Sequence, residues 1–227
     1  MEPPSTVVLA VSRQIGSGGS YIGQAVAHRH GLKYLDREIL AEATRMLGAE
    51  DQNLAHLEEH VANTWVRFTR HLSLGPPDAL FTPPRIRETI FEEELFQIER
   101  QVIRELAARE DCVIIGRGAC FVLADRPGLV RVFVHAPEAF RIAQLEKTLG
   151  PQDRPAMRDL IRKSDRDRGK FVRAVCNCDW TNACHYDLTV DPGKIGLDAA
   201  ADLVARVVED RLHERKAGMP QTRVPPD

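Results

Sequence analysis

Residues 9–31 read LAVSRQIGSGGSYIGQAVAHRHG. A β-branched apolar run, Val7 to Val11, leads into Gly16-Ser17-Gly18-Gly19. After the glycines, Ile22, Ala25 and Val26 fall on one helical face, and Gly31 suits a helix stop. Strand, glycine turn and helix in that order aim successive backbone N–H groups and a helix N-terminus at one anion. The stretch predicts an α/β fold with a phosphate-binding turn made by Gly16, Ser17, Gly18, Gly19, Ser20 and Tyr21. A turn that only joins strand to helix is the weaker alternative.

Two nucleotide motifs share this context. The dinucleotide motif GxGxxG finds Gly16, Gly18 and, near the end of the next strand, the acid Asp36. Its third glycine is replaced by Tyr21. The motif GxxxxGK[ST] aligns its last three positions with Gly18, Gly19 and Ser20. Gly19 then stands at the lysine and Arg13 at the first glycine. Neither motif is intact, so the turn alone leaves both open.

Further strand candidates are LKYL (Leu32 to Leu35), CVIIG (Cys112 to Gly116), VRVFVHA (Val130 to Ala136) and YDLTVD (Tyr186 to Asp191). Helical spacing marks residues 54–72, 85–109, 156–175 and a last helix from Leu197. Asp36 is placed to cap a helix over REILAEATRML. GPPDALFTPP (Gly75 to Pro84) breaks the chain twice. Alternation of strands and helices predicts a five-stranded parallel sheet covered on both faces. Ligands of such sheets bind beyond the carboxyl ends of the strands. The Gly16 turn, Asp36, Arg117 and His135 all follow strands and are expected to converge there. Trp65, Phe68, Phe91 and Phe96 lie at helical spacing and read as core, and His135 as structural.

Formal net charge is −2, which provides no global basic footprint for nucleic acid. No apolar run has the length of a membrane span, and MEPPST carries no export signal. These features predict a cytoplasmic protein. Five cysteines, an odd number, argue against a disulfide framework. Cys176, Cys178, Cys184 and His185 are weighed as a zinc site. With CxC in place of paired CxxC spacing, reduced thiols are preferred. The sequence is read as one domain over 1–216, with a helical insert at about 48–84, a lid at about 151–175 and a disordered tail at 217–227. It gives no oligomeric state.

Six segments in order resemble the cytidylate kinase-like family of P-loop kinases. They are SRQIGSGG, GLKYLDREIL, VIIGRGACFVL, VRVFVHAPEAFRI, DRDRGKF and YDLTVDPGKIGLDAA, spread from about Val7 to Val208. The resemblance implies a P-loop kinase fold and ATP- and Mg²⁺-dependent phosphorylation of a nucleoside monophosphate, most plausibly CMP or dCMP. It gives Ser20 the hydroxyl that reaches Mg²⁺ through the nucleotide. It places Asp36 beside the acceptor phosphate and the Mg²⁺ shell, and Arg117 on the acceptor phosphate. The charged segment RKSDRDRGK becomes a lid whose Arg166 and Arg168 join the reacting phosphates and whose Asp167 meets the acceptor sugar. Lys163 and Lys170 stand where cytidylate kinases carry phosphate-binding arginines, and a lysine lacks the bidentate fork. Arg37 replaces a serine next to Asp36 on the acceptor side. Gly118 stands where those kinases read cytosine with an aspartate.

The reading from residues agrees that phosphoryl transfer needs positive charge around the β and γ phosphates rather than covalent chemistry. The loss of one such charge at position 19 is worth about 3–4 kcal/mol unless replaced. Arg13, which brackets the same turn, is the candidate replacement. Three functions follow: an active kinase acting on a nucleoside monophosphate or another small phosphorylated acceptor, a nucleotide-binding protein with little catalysis, and, less favoured, an NAD(P)-dependent oxidoreductase.

Overall fold

The computed structural model describes residues 6–36, 86–150 and 153–219, with side chains omitted for 86–95 and Val175. The chain divides into two compact units, Met1–Asp36 with Arg104–Asp227, and Arg37–Ile103. In the first unit the strands are β1 (Val8–Arg13), β2 (Lys33–Leu35), β3 (Cys112–Ile115), β4 (Leu129–Val134) and β5 (Leu188–Val190). They form one parallel sheet in the order β2-β3-β1-β4-β5. The helices in chain order are α1 (Gly19–His30), α2 (Ile86–Arg109), α3 (Ala119–Val122), α4 (Glu138–Leu149), α5 (Arg154–Cys176), α6 (Pro192–Ile195) and α7 (Leu197–Lys216).

The central strands are nearly continuous apolar runs because both their faces are covered. Leu9 and Val11 of β1, Val113 and Ile115 of β3, and Val132 and Val134 of β4 share one face. Ile22 and Val26 of α1 and Ala200, Val204 and Val208 of α7 pack there, all buried. The small residues of α7 let that helix approach α1 closely. A truncation such as Ile115→Ala removes buried methylenes and leaves a cavity, at about 2–5 kcal/mol. Below the turn, Ile15, Ile142, Leu145, Met157 and Ile161 tie α4 and α5 together.

Local chemistry sets the element ends. Helix α1 starts at Gly18, whose left-handed φ of 89° suits glycine, and stops at Gly31 with φ 64°. The Gly31 N–H donates to the Ala27 carbonyl and so does the N–H of Leu32, a Schellman-type close. Strand β4 ends two residues before the predicted Ala136, because the Ala136 N–H donates to the Gln14 side chain at 3.1 Å instead of to a neighbouring strand. The buried stripe of α2 passes through Phe96, Val102, Ile103 and Ala107. Ile98 and Leu106 are half-buried at its margin. Phe96 is core, as predicted; Trp65, Phe68, the helix of 54–72, the insert at 48–84, Arg37 and residues 220–227 lie outside the described residues.

No described helix is long and apolar enough to cross a membrane. None of the five cysteines is in a disulfide, and among the described residues no group of three or more His, Cys, Asp and Glu is placed to hold a metal ion.

Candidate functional site

The chain leaves β1 toward β2 on one side and β4 toward β5 on the other, so the crevice between β1 and β4 is the switch point of the sheet. The glycine turn fills its mouth. The Gln14 N–H donates to the Val134 carbonyl at 2.9 Å. Ser17 is fully buried, with Oγ within 2.8 Å of the Gln14 carbonyl and 3.0 Å of the Val134 carbonyl. Its hydroxyl holds the turn shut from within and does not face the mouth. Gly16 and Gly18 have φ of 73° and 89°. A Cβ on Gly16 would lie 2.6 Å from the Arg141 carbonyl, and one on Gly18 would lie 2.2 Å from a Leu197 methyl. The turn is therefore clamped between α4 and the start of α7.

Helix α1 has no side-chain cap and no acidic residue in its first turn. Its first N–H groups are the unsatisfied donors of a helix start, with a partial positive charge and no resident carboxylate. Ser20 is exposed at this end. Tyr21, also exposed, turns its hydroxyl away to donate to Asp198 at 2.5 Å.

Arginines gather at the same sheet edge. Arg13 is the last residue of β1, and its side chain is only 13% exposed. Its Nη2 lies 3.9 Å from Asp36 Oδ1. Burial lowers its pKa; Asp36 opposes that shift and Arg117 adds to it. Arg117, buried, has an unusual left-handed φ of 55° between two glycines that are also left-handed, Gly116 and Gly118. Arg168 is 9% exposed, donates to the Arg13 carbonyl and lies over the Trp180 ring at 5.6 Å. Burial, then the neighbouring Arg13, push its pKa down to about 9. It stays charged at neutral pH, in a place that favours an added anion.

Arg141 is the contrast. It is bidentate to Asp165 at 2.7 and 2.9 Å and donates from Nε to the Ile15 carbonyl at 2.7 Å. Its charge is engaged in holding α5 to the turn.

Helix α5 sorts the charged residues by face. Met157, Ile161, Ser164, Arg168 and Val172 make its buried stripe. Lys163 and Asp167 are half-buried, and Arg166 and Lys170 are exposed. Arg166, Lys170 and Arg173 line an open cleft of about 500 Å³ with Gln14, Asp165 and Trp180. A second cleft, about 470 Å³, is lined by Gln14, Phe133, His135, Pro137 and Thr181. His135 thus borders a cleft and also stands beside Phe133, ring centroids 5.6 Å apart.

Oxygen donors suited to Mg²⁺ are present. Ser20 and Asp36 both flank Tyr34, whose hydroxyl is pushed up in pKa by burial and by the Asp36 carboxylate. Mg²⁺ keeps most of its shell as water and phosphate, so one hydroxyl and one carboxylate fit it.

The sequence reading missed three contributors. Gln14 borders both clefts, Arg141 locks the turn, and Trp180 supports Arg168. Trp180 packs edge-on against Phe133 at 5.4 Å, and its carbonyl accepts from the Tyr186 hydroxyl at 2.6 Å. An isolated tryptophan in a cysteine-rich stretch was the available signal.

No curated protein matches the chain with significance. Among solved structures, the fold is similar to an uncharacterized protein from Eubacterium ventriosum: TM-score 0.65, 18% identity, 90% of this chain and 99% of that one. It is also similar to a shikimate kinase from Bacteroides thetaiotaomicron: TM-score 0.50, 14% identity, 89% and 98% covered. TT1252 from Thermus thermophilus is comparable, at TM-score 0.50, 16% identity, 90% and 98% covered. These likenesses are of fold, and the fold is that of the P-loop kinases. The model of the cytidylate kinase-like family matches residues 8–194, from the first residue of β1 into α6, and the chain belongs to that family.

Proposed function

We propose that the protein is an ATP- and Mg²⁺-dependent phosphotransferase acting on a small phosphorylated acceptor, with CMP and dCMP the first candidates. The observation that carries this is the uncapped, acid-free start of α1 with Arg13, Arg117 and Arg168 buried at the same sheet edge. Guanidinium groups depressed by burial and by a neighbouring cation, as Arg13 and Arg168 are, are stabilised by a polyanion, and family membership makes a nucleoside triphosphate the natural one.

In this reading the amides of residues 16–20 hold the donor phosphates, and Ser20 and Asp36 hold Mg²⁺. The metal, when bound, neutralises charge on the phosphate oxygens. Arg117 orients the acceptor phosphate. Arg168, fixed by Trp180 and the Arg13 carbonyl, supplies charge from the lid side without reorganising. Arg166, Lys163 and Lys170 draw anions to the cleft, and Asp167 meets the acceptor sugar. Residues 1–216 act as one kinase domain, with α5 as its lid.

Gly118, at φ 66°, provides no carboxylate to read a cytosine. The acceptor panel therefore extends to UMP, AMP, GMP and small phosphorylated metabolites. ADP formation from Mg-ATP with at least one acceptor is the expected result. If calorimetry shows Mg-ATP bound while every acceptor fails to give ADP, the protein is a nucleotide-binding member of the family without transfer activity.

A further inference from the structure

Gly19 has no backbone reason to be glycine. It is the first residue of α1 and is not among the residues with positive φ. In a helix, glycine costs about 1 kcal/mol relative to alanine. Its reason is a neighbour. A Cβ at position 19 would lie 2.6 Å from the Arg13 Cβ and 3.0 Å from its Cγ. Real Cβ atoms do not approach that closely, so any side chain here must displace Arg13.

Strand parity explains why Arg13 is there. Positions 9, 11 and 13 share the face covered by α1. At the end of the strand, that face opens beneath the first turn of the helix. The stem of Arg13 therefore fills the space where a residue-19 side chain would begin. Its head is accommodated the same way. A Cβ on Gly116 would lie 1.8 Å from Arg13 Nη1 and 3.0 Å from Cζ. One glycine clears the stem and another clears the guanidinium, which then lies beside Asp36.

We infer that Arg13 is the resident cation of the donor-phosphate site, entering from β1 across the start of the missing side chain. Arg13 and a lysine at position 19 are then mutually exclusive sources of one charge. This rests on the phosphotransferase reading for its ligand, the terminal phosphates of a nucleoside triphosphate. Its substance, the exclusion of one cation by the other, is a property of the packing. A planar guanidinium donates to two oxygens at once, which an ammonium does not.

The test titrates Mg-ATP by calorimetry into wild type, Arg13→Met, Arg13→Lys, Gly19→Lys and the swap Arg13→Ser/Gly19→Lys, and follows ADP formation in the same samples. Arg13→Met is expected to bind Mg-ATP at least tenfold more weakly with its Tm kept. Gly19→Lys alone is expected to weaken binding too, because the Arg13 stem still occupies the space the lysine stem needs and neither cation can seat. The swap is expected to return to within a few-fold of wild type. Wild-type affinity in Arg13→Met, or in Gly19→Lys alone, overturns the inference, as does a folded swap that fails to recover. Should either protein with lysine at 19 not fold, Arg13→Lys decides: it keeps part of the binding that Arg13→Met loses, and equal binding by the two overturns the inference. Mg-ATP binding by wild type without ADP from any acceptor removes the transfer reading and leaves this one to the affinities. Turnover unchanged in Arg13→Met removes this one and leaves transfer standing. Failure of wild type to bind Mg-ATP overturns both.

Discussion

The two ends of the parallel sheet treat charge in opposite ways. At the amino ends, cations meet partners that favour their charge. Lys33 pairs with Glu110 at 2.6 Å and Arg215 with Asp111. Arg126 donates to the carbonyls of Thr6 and Ala107, and Asp111 supports its charge. At the carboxyl ends, Arg168 has the cations Arg13, Arg141 and Arg117 close enough to oppose its charge, and Arg13 has Arg117 opposing it while Asp36 favours it. The same residue type is a fastener at one end and, in the proposed function, a binding group at the other. What separates them is that like charges join the acids among the neighbours of Arg13 and Arg168, since burial penalises cations at both ends.

The largest expected effect breaks this contrast at the ligand end. Arg168→Met is expected to lower turnover about 100-fold, the usual scale for losing one donor to a developing charge. Its Tm should hold or rise, because an apolar side chain replaces a buried cation. A Tm well below wild type would class Arg168 as a fastener instead. The matching change at the other end is Arg126→Met. It should cost about 1–3 kcal/mol in urea unfolding, because two carbonyls lose their donor. Mg-ATP affinity should be untouched, and a loss of affinity there would erase the distinction between the ends.

Two serines sharpen the contrast inside the turn itself. Ser17→Ala should cost about 1 kcal/mol of stability, with nucleotide affinity intact, since its hydroxyl closes the turn onto Gln14 and Val134. Ser20→Ala should leave stability alone and weaken the Mg²⁺ dependence of ATP binding. The smallest effect is a negative one. Cys112 at the amino ends and Cys120 beyond β3 are both pushed up to about 12 by burial. At pH 8 their thiolate fraction is on the order of 10⁻⁴, so a thiol reagent should label exposed Cys184 and spare both. Rapid labelling of Cys120 in the folded protein would mean that the thiol over the middle of β1 is open to water.

The fold was legible because five apolar runs of strand length alternate with helical periodicity, and each run became a strand of one parallel sheet. The glycine turn was legible as a strand–turn–helix junction because apolar run, glycines and helical spacing follow in that order, and the structure has that junction. The charged helix was not. RKSDRDRGK offers cations all round, and charge pattern alone gives each equal weight. The stripe set by Met157, Ile161 and Val172 buries Arg168 and leaves Arg166 exposed. Extending that stripe by helical steps from Ile161 would have reached Arg168. Arg13 was named for its position beside the turn. The stronger clue, its parity with Leu9 and Val11, lay in the same six residues. Trp180 offered only its isolation in a cysteine-rich stretch as a local signal, because its meaning comes from Phe133 and Arg168, which meet it only in the folded sheet.

The most direct measurement is a crystal structure with Mg²⁺ and a non-hydrolysable ATP analogue. The expected result is the terminal phosphates seated on the amides of residues 16–20, with the Arg13 guanidinium donating to a phosphate oxygen from over Gly116. Phosphates bound away from the turn, or an Arg13 that still faces Asp36 alone while they occupy it, would contradict a cation relocated from position 19 to the end of β1.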